Sequence, residues 1–192
     1  MISLSDAEFD RFYDQRIRDL SQQHWTPVRV AVRAAKLLTL AGATRILDVG
    51  SGVGKFCIIG ALSTDASYVG IERRRDLVEI AQRTAVRHGA HRVTFVHTDA
   101  DVFSFEGFSG VYLYNPFYEQ ISGLINQIDG TTERSPSVHS HFVRGTTEKL
   151  EALAPPAVVV IYGGFGGNMP SSYRFVGDES VGLDQLELWI KD

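Results

Sequence analysis

With 192 residues, 44% of them hydrophobic and 22% charged, the chain has the composition of an ordinary globular protein, long enough for one substantial core and short for two. A formal net charge of −4 excludes the overall basic field that holds a protein to a long phosphate backbone. The single Cys57 cannot form an internal disulfide, and no N-terminal apolar run has the form of a signal peptide or membrane span, so a cytoplasmic protein without membrane association is expected.

Ser5 followed by Glu8 has capping-box spacing, and Phe9, Phe12, Tyr13, Ile17 and Leu20 recur at helical intervals, which predicts a helix over about 6 to 20. The stretch Gln22 to Pro27, QQHWTP, breaks it. Thr26 and Pro27 then read as cap and first-turn residue of a second helix that runs to about Ala41 and stops at Gly42. Arg29, Arg33 and Lys36 share one face of it, which suits a solvated surface better than a binding patch. Residues 1–42 are read as a helical cap belonging to the same domain as residues 43–192.

Arg45 to Phe56, RILDVGSGVGKF, combines a buried strand, an acid at its end (Asp48), a turn with Gly50, Gly52 and Gly54, and a helix start near Lys55. Such a turn lets backbone approach a ligand, and a helix start offers unpaired amides. An apolar helix follows, then a strand ending at Glu72, a helix closed by Gly89, a strand leading to Asp99, and a strand leading to Asn115-Pro116-Phe117-Tyr118. Phe117, Ile121, Leu124, Ile125 and Ile128 trace a further helix, Thr131 to Ser137 reads as an exposed loop, and Val138 to Leu153 as a helix stopped by Pro155-Pro156. Ala157 to Tyr162, AVVVIY, is a central strand. The glycine-rich run Gly163 to Gly167 is either a mobile rim or a plain turn, and two alternating strands close the chain as a hairpin. Alternation of strand and helix implies a doubly wound α/β sheet with ligands at the carboxyl ends of its strands.

The glycine turn discriminates among ligands. A phosphate loop needs glycine at Val49 and Ser or Thr at Phe56, and a dinucleotide fingerprint needs glycine at Lys55. What remains, Asp48-x-Gly50-x-Gly52-x-Gly54 with acids ending the next strands, resembles the class I S-adenosylmethionine-dependent methyltransferases over about residues 40 to 190. The resemblance implies a seven-stranded sheet in the order 3-2-1-4-5-7-6 with the last strand antiparallel. It implies that Asp48, Gly50, Ser51, Gly52 and Gly54 border the methionyl part of S-adenosylmethionine, that Glu72 accepts from the ribose hydroxyls, and that Asp99 and Ala100 meet the adenine.

Asn115-Pro116-Phe117-Tyr118 resembles the (Asn/Asp)-Pro-Pro-(Tyr/Phe) signature of methyltransferases that act on amino or amide nitrogen, with one proline missing. That implies catalytic roles for Asn115, Pro116, Phe117 and Tyr118. The same residues also fit a plain helix start with Phe117 in the core-facing stripe. Trp25-Thr26-Pro27 is similar to the Thr-Pro step that closes over the methionyl end in several nitrogen methyltransferases, so Thr26 joins the cofactor residues and the N-terminal helices become a candidate lid. His24, His97, His139 and His141 lack ligand spacing and read as surface or loop histidines, and no metal site is expected. The acceptor stays open among protein, nucleic-acid base and small molecule, with Arg73-Arg74-Arg75 as a local anion-binding option. An inactive S-adenosylmethionine-binding module and an NAD(P)-dependent oxidoreductase remain as alternatives.

Overall fold

The computed structural model describes residues 4–122 and 128–192, apart from the side chain of Gln22. In chain order the elements are α1 (Asp6–Asp10), α2 (Gln15–His24), α3 (Val28–Leu40), β1 (Arg45–Val49), α4 (Lys55–Ser63), β2 (Ser67–Glu72), α5 (Arg75–His88), β3 (Val93–His97), β4 (Gly110–Tyr114), α6 (Pro136–Ala152), β5 (Ala157–Tyr162), β6 (Arg174–Val181) and β7 (Asp184–Lys191). The strands form one seven-stranded sheet in the order β3-β2-β1-β4-β5-β7-β6. β1 pairs in parallel with β2 and β4, and β7 pairs antiparallel with β5 and β6.

β4 and β5 are buried on both faces because their sequences, GVYLY and AVVVIY, carry almost no polar side chain. Alternate residues feed two cores. Ile46, Tyr68, Tyr112, Val158 and Val160 point to the face covered by the N-terminal helices, α4 and α5. Leu47, Val49, Ile71, Val111 and Val159 point to the face covered by α6 and by Phe105, Phe108 and Phe117. The expected doubly wound architecture, strand order and antiparallel last strand are all present.

The N-terminal region differs from expectation. One helix over 6 to 20 becomes two, because the Asp14 carboxylate accepts from the Ile17 amide at 3.0 Å and starts a new helix. Ser5 and Glu8 do form the capping box. Thr26 does not cap α3: Pro27 holds that position, Asp6 accepts from the Val28 amide at 2.9 Å, and the Thr26 hydroxyl lies 3.2 Å from the Tyr112 hydroxyl. Of the helix expected from Phe117 to Ile128, a single 3-10 turn at Tyr118–Gln120 is seen, and Leu124 and Ile125 lie outside the described residues. Nor is Thr131 to Ser137 simply an exposed loop, since Thr132 is buried and Pro136 is already the first residue of α6. Among the described residues no helix is long and apolar enough to cross a membrane.

Lys55 fastens the cap to the sheet. Its side chain is 2% exposed, and its ammonium reaches Asp6 at 2.7 Å, Asp10 at 2.8 Å and the Ser21 hydroxyl at 3.3 Å. Lys55→Ala leaves Asp10 buried without its cation, and urea unfolding is expected to show a loss of about 3 kcal/mol. Asp10→Asn in the same background should recover part of it, whereas additive losses would show that the pair is not coupled.

Candidate active site

The turn after β1 lies against the end of β2, with the Gly50 and Ser51 amides both donating to the Ile71 carbonyl, at 3.0 and 2.9 Å. Gly50 and Gly52 have φ of 76° and 53°. A Cβ on Gly52 would sit 2.5 Å from the Trp25 ring, and one on Gly50 would sit 3.3 Å from Cβ of Pro116. The bare backbone is therefore roofed by Trp25 from the cap and by Pro116 from the loop after β4. Trp25 is fixed by its indole N–H, which donates to the Ile17 carbonyl at 3.1 Å. Gly54 stands behind the turn, where it starts α4 and packs on Phe95, and it walls none of the clefts described below.

Two buried carboxylates flank this turn in different surroundings. Burial pushes Asp48 up to about 7; the Cys57 thiol, donating at 3.4 Å, opposes this and the charge of Glu72 adds to it. Glu72 is also raised by burial, but it accepts from the Arg74 amide at 2.9 Å and the Gly52 amide at 3.2 Å, and the Arg74 guanidinium lowers it further. That guanidinium is itself buried and fans out to Glu119 and Asp129, both at 2.8 Å, while Glu72 lies 3.7 Å away. Arg74 is thus saturated by carboxylates, while Arg73, which donates to the buried Thr132, and Arg75 are exposed, so the local anion-binding option narrows to these two.

Three clefts meet at Gly50 and its neighbours. One of about 450 Å³ is walled by Glu72, Asp99, Ala100, Pro116 and Phe117, which brings together the residues expected around a ribose and an adenine. A second, of about 660 Å³, lies between Trp25, Tyr114, Asn115, Tyr118 and Glu119. A third, of about 320 Å³, is walled by His24, Thr26, Asp48 and Ser51. Thr26, Asp48 and Ser51 therefore gather at one end and Asn115, Pro116 and Tyr118 at another, with the glycine turn between.

Asn115 is the sole non-glycine residue with positive φ among those described, at 41°. Asparagine tolerates this left-handed state better than most residues, at a cost of about 1 kcal/mol. It is held there by its amide, which donates to the Gly164 carbonyl at 3.0 Å, and by its carbonyl, which accepts from Tyr118 at 3.1 Å. Its side chain lies over Gly163 and Gly164, with Nδ2 on the side of Asp184. Phe117 does not face the acceptor-side cleft. It is buried and stacked on Phe142 at 5.3 Å, so the exposed aromatic of this loop is Tyr118.

The sequence reading missed His24, Tyr114 and Glu119. His24 is no surface histidine: its Nε2 is buried and it walls two clefts. Only the adjacency of Trp25-Thr26 hinted at it. Among the described residues no group of three His, Cys, Asp or Glu side chains is placed to hold a metal ion.

Comparison with known proteins gives a consistent picture. Residues 9–120 match the family model for protein-L-isoaspartate(D-aspartate) O-methyltransferase. The 23S rRNA (uracil(1939)-C(5))-methyltransferase RlmD of Salmonella typhi is 36% identical over 73 residues, 38% of this chain. The matched region spans 17% of the length of that relative. An RNA methyltransferase from Salinibacter ruber, solved with S-adenosyl-L-homocysteine, is 26% identical with a TM-score of 0.61, covering 86% of this chain and 92% of that one. A putative O-methyltransferase from Klebsiella pneumoniae shares the fold at 15% identity and a TM-score of 0.62, covering 100% of this chain and 92% of that one.

The raised Asp48 carboxyl predicts a pH dependence of the unliganded protein. Its folded value lies above that of the unfolded chain, so its neutral form favours folding, and stability is lost as pH climbs toward about 7. Between about pH 5.5 and about pH 7.5 this amounts to roughly 2 kcal/mol. Urea unfolding should show that loss in the wild type relative to Asp48→Asn, and parallel pH profiles for the two would refute the buried neutral carboxyl.

Proposed function

The chain belongs to the protein-L-isoaspartate(D-aspartate) O-methyltransferase family and has the class I S-adenosylmethionine-dependent methyltransferase fold, and from that premise we propose that it methylates a planar amino or amide nitrogen presented at Asn115-Pro116. The observation that carries this reading is the seating of that step, strained at Asn115, directly on Gly50 of the glycine turn. Strain of this kind persists where the surrounding structure holds it for a purpose.

The residues fit the cofactor. Glu72 presents a buried carboxylate, an acceptor-only group suited to paired hydroxyls, at the wall of a nucleoside-sized cleft. Asp99 and Ala100 stand at the same cleft for the adenine, and Gly50, Ser51, Gly52 and Asp48 border the amino-acid end. Bound there, S-adenosylmethionine supplies a methyl carbon activated by its sulfonium. Asn115 orients the acceptor nitrogen through its side-chain amide, Pro116 sets the distance of the loop from the turn, and Tyr118 offers a ring face to a planar acceptor. Trp25 and Tyr114 exclude water from the reacting end, so positioning and exclusion of solvent account for the acceleration.

The acceptor's source is a separate matter. The family description names a protein carboxyl and the Salinibacter relative is an RNA methyltransferase. The chain's acidic balance disfavours a long polyanion. Incubation with methyl-labelled donor and fractionated cell extract is expected to place alkali-stable label in one fraction; alkali-labile label in protein would mark an ester and sink the nitrogen assignment.

Two variants separate the roles. Glu72→Ala should weaken S-adenosylhomocysteine binding, read by calorimetry, by roughly tenfold or more. Unchanged affinity would remove Glu72 from the site. Asn115→Ala should keep that affinity within about twofold yet lower transfer roughly 100-fold, as expected for a misplaced nucleophile. A loss in binding equal to the loss in rate would make Asn115 a structural residue.

A further inference from the structure

The third cleft has an acid for one end of an amino acid and no evident partner for the other. Asp48 suits the methionyl ammonium of the cofactor. A methionyl carboxylate needs a donor, and the side-chain N–H donors of Lys55 and Trp25 in that wall are already engaged. Lys55 is held by Asp6, Asp10 and Ser21 and the Trp25 indole N–H by the Ile17 carbonyl, while the Thr26 hydroxyl shares a contact with the Tyr112 hydroxyl in which either can donate. The Ser51 hydroxyl has no partner but lies 2.6 Å from where a Cβ on Gly70 would be, turned toward β2.

His24 is different. It is the last residue of α2, its ring packs on Trp25 at 5.8 Å between centroids, and its Nε2 is buried with no hydrogen-bond partner. An unsatisfied buried nitrogen is costly and is seldom kept without use. The same cleft is walled by Lys55 and Phe56 of the first turn of α4, whose amides receive no side-chain cap and favour negative charge. Burial lowers the imidazole pKa, Glu119 raises it and Arg74 lowers it again. Asp48 is the titratable carboxyl across the cleft.

We propose that His24 Nε2 donates to the methionyl carboxylate of the cofactor, so that the amino-acid end is held between Asp48 and His24 across the glycine turn. The N-terminal cap then acts as part of the cofactor site, contributing a contact to the ligand as well as a roof. This rests on the cofactor reading above.

The test compares two ligands on the full chain by titration calorimetry: S-adenosylhomocysteine, and 5′-methylthioadenosine, which keeps the nucleoside and sulfur but lacks the amino-acid end. His24→Ala should weaken the first roughly tenfold and leave the second within about twofold. Unchanged binding of the second also shows that the variant is folded. Tyr114→Phe removes a competing hydroxyl donor from that wall and should not reproduce the selective loss. Equal losses for both ligands, no loss for either, or a selective loss in Tyr114→Phe in place of His24→Ala would overturn the proposal. Absence of S-adenosylhomocysteine binding by the unaltered chain would overturn the cofactor reading itself, whereas binding indifferent to His24 overturns this inference alone.

Discussion

A primary ammonium that is 2% exposed is kept only where oxygen ligands surround it, and every ligand of Lys55 comes from the first two helices. Asp10 is itself bonded by the Ser21 hydroxyl at 2.5 Å, and the Phe9 ring lies 5.5 Å from the ammonium. Lys55 follows the glycine turn directly, so the pairing fixes α1 and α2 onto the mouth of the site. Where α2 stands decides where His24 and Trp25 stand, and Trp25 closes the turn over Gly52. The residue whose identity rules out a dinucleotide fingerprint is therefore the one that installs the roof.

Arg74 does the corresponding work on the opposite side. Buried ion pairs contribute little net stability, so their value here is placement. One guanidinium joins Glu72, at the end of β2, to Glu119, four residues past Asn115, and to Asp129. Glu119 also accepts from the Ile128 amide at 3.1 Å. The acid expected to hold the ribose and the loop expected to hold the acceptor are thus positioned by a single side chain.

What could be read from the sequence was local or periodic. The strands declared themselves through apolar runs, the turn through its glycines, and the helix ends at Gly42 and Gly89 through residues that adopt left-handed backbone cheaply. The break at Asp14 was a local signal passed over, whereas the other misreadings involved a distant partner. Thr26 looked like a cap until Tyr112, on β4, took its hydroxyl, and Thr132 looked like loop until Arg73 and Arg74 reached it. His24 looked solvated because nothing in its neighbours shows that the loop after β4 stands opposite. Phe117 is the instructive case: both roles weighed for it were local ones, and Phe142 on α6 decided for packing.

On the proposed reading, charge at the turn discriminates among ligands independently of any motif. Lys55, which in a phosphate loop would meet the nucleotide, has its ammonium committed to Asp6 and Asp10. Asp48 faces the turn with a thiol as its sole side-chain donor among the described residues, and Glu72 stands within its field. A phosphate brought beside Asp48 would confront the carboxylates of Asp48 and Glu72 with the Lys55 ammonium already paired, a repulsion that burial magnifies. An ammonium would instead supply the charge that Asp48 lacks and draw its proton off. On the proposed reading, the burial that raises Asp48 toward about 7 in the unliganded protein is also what suits it to an ammonium, and a sulfonium donor carries an amino-acid end where a dinucleotide does not.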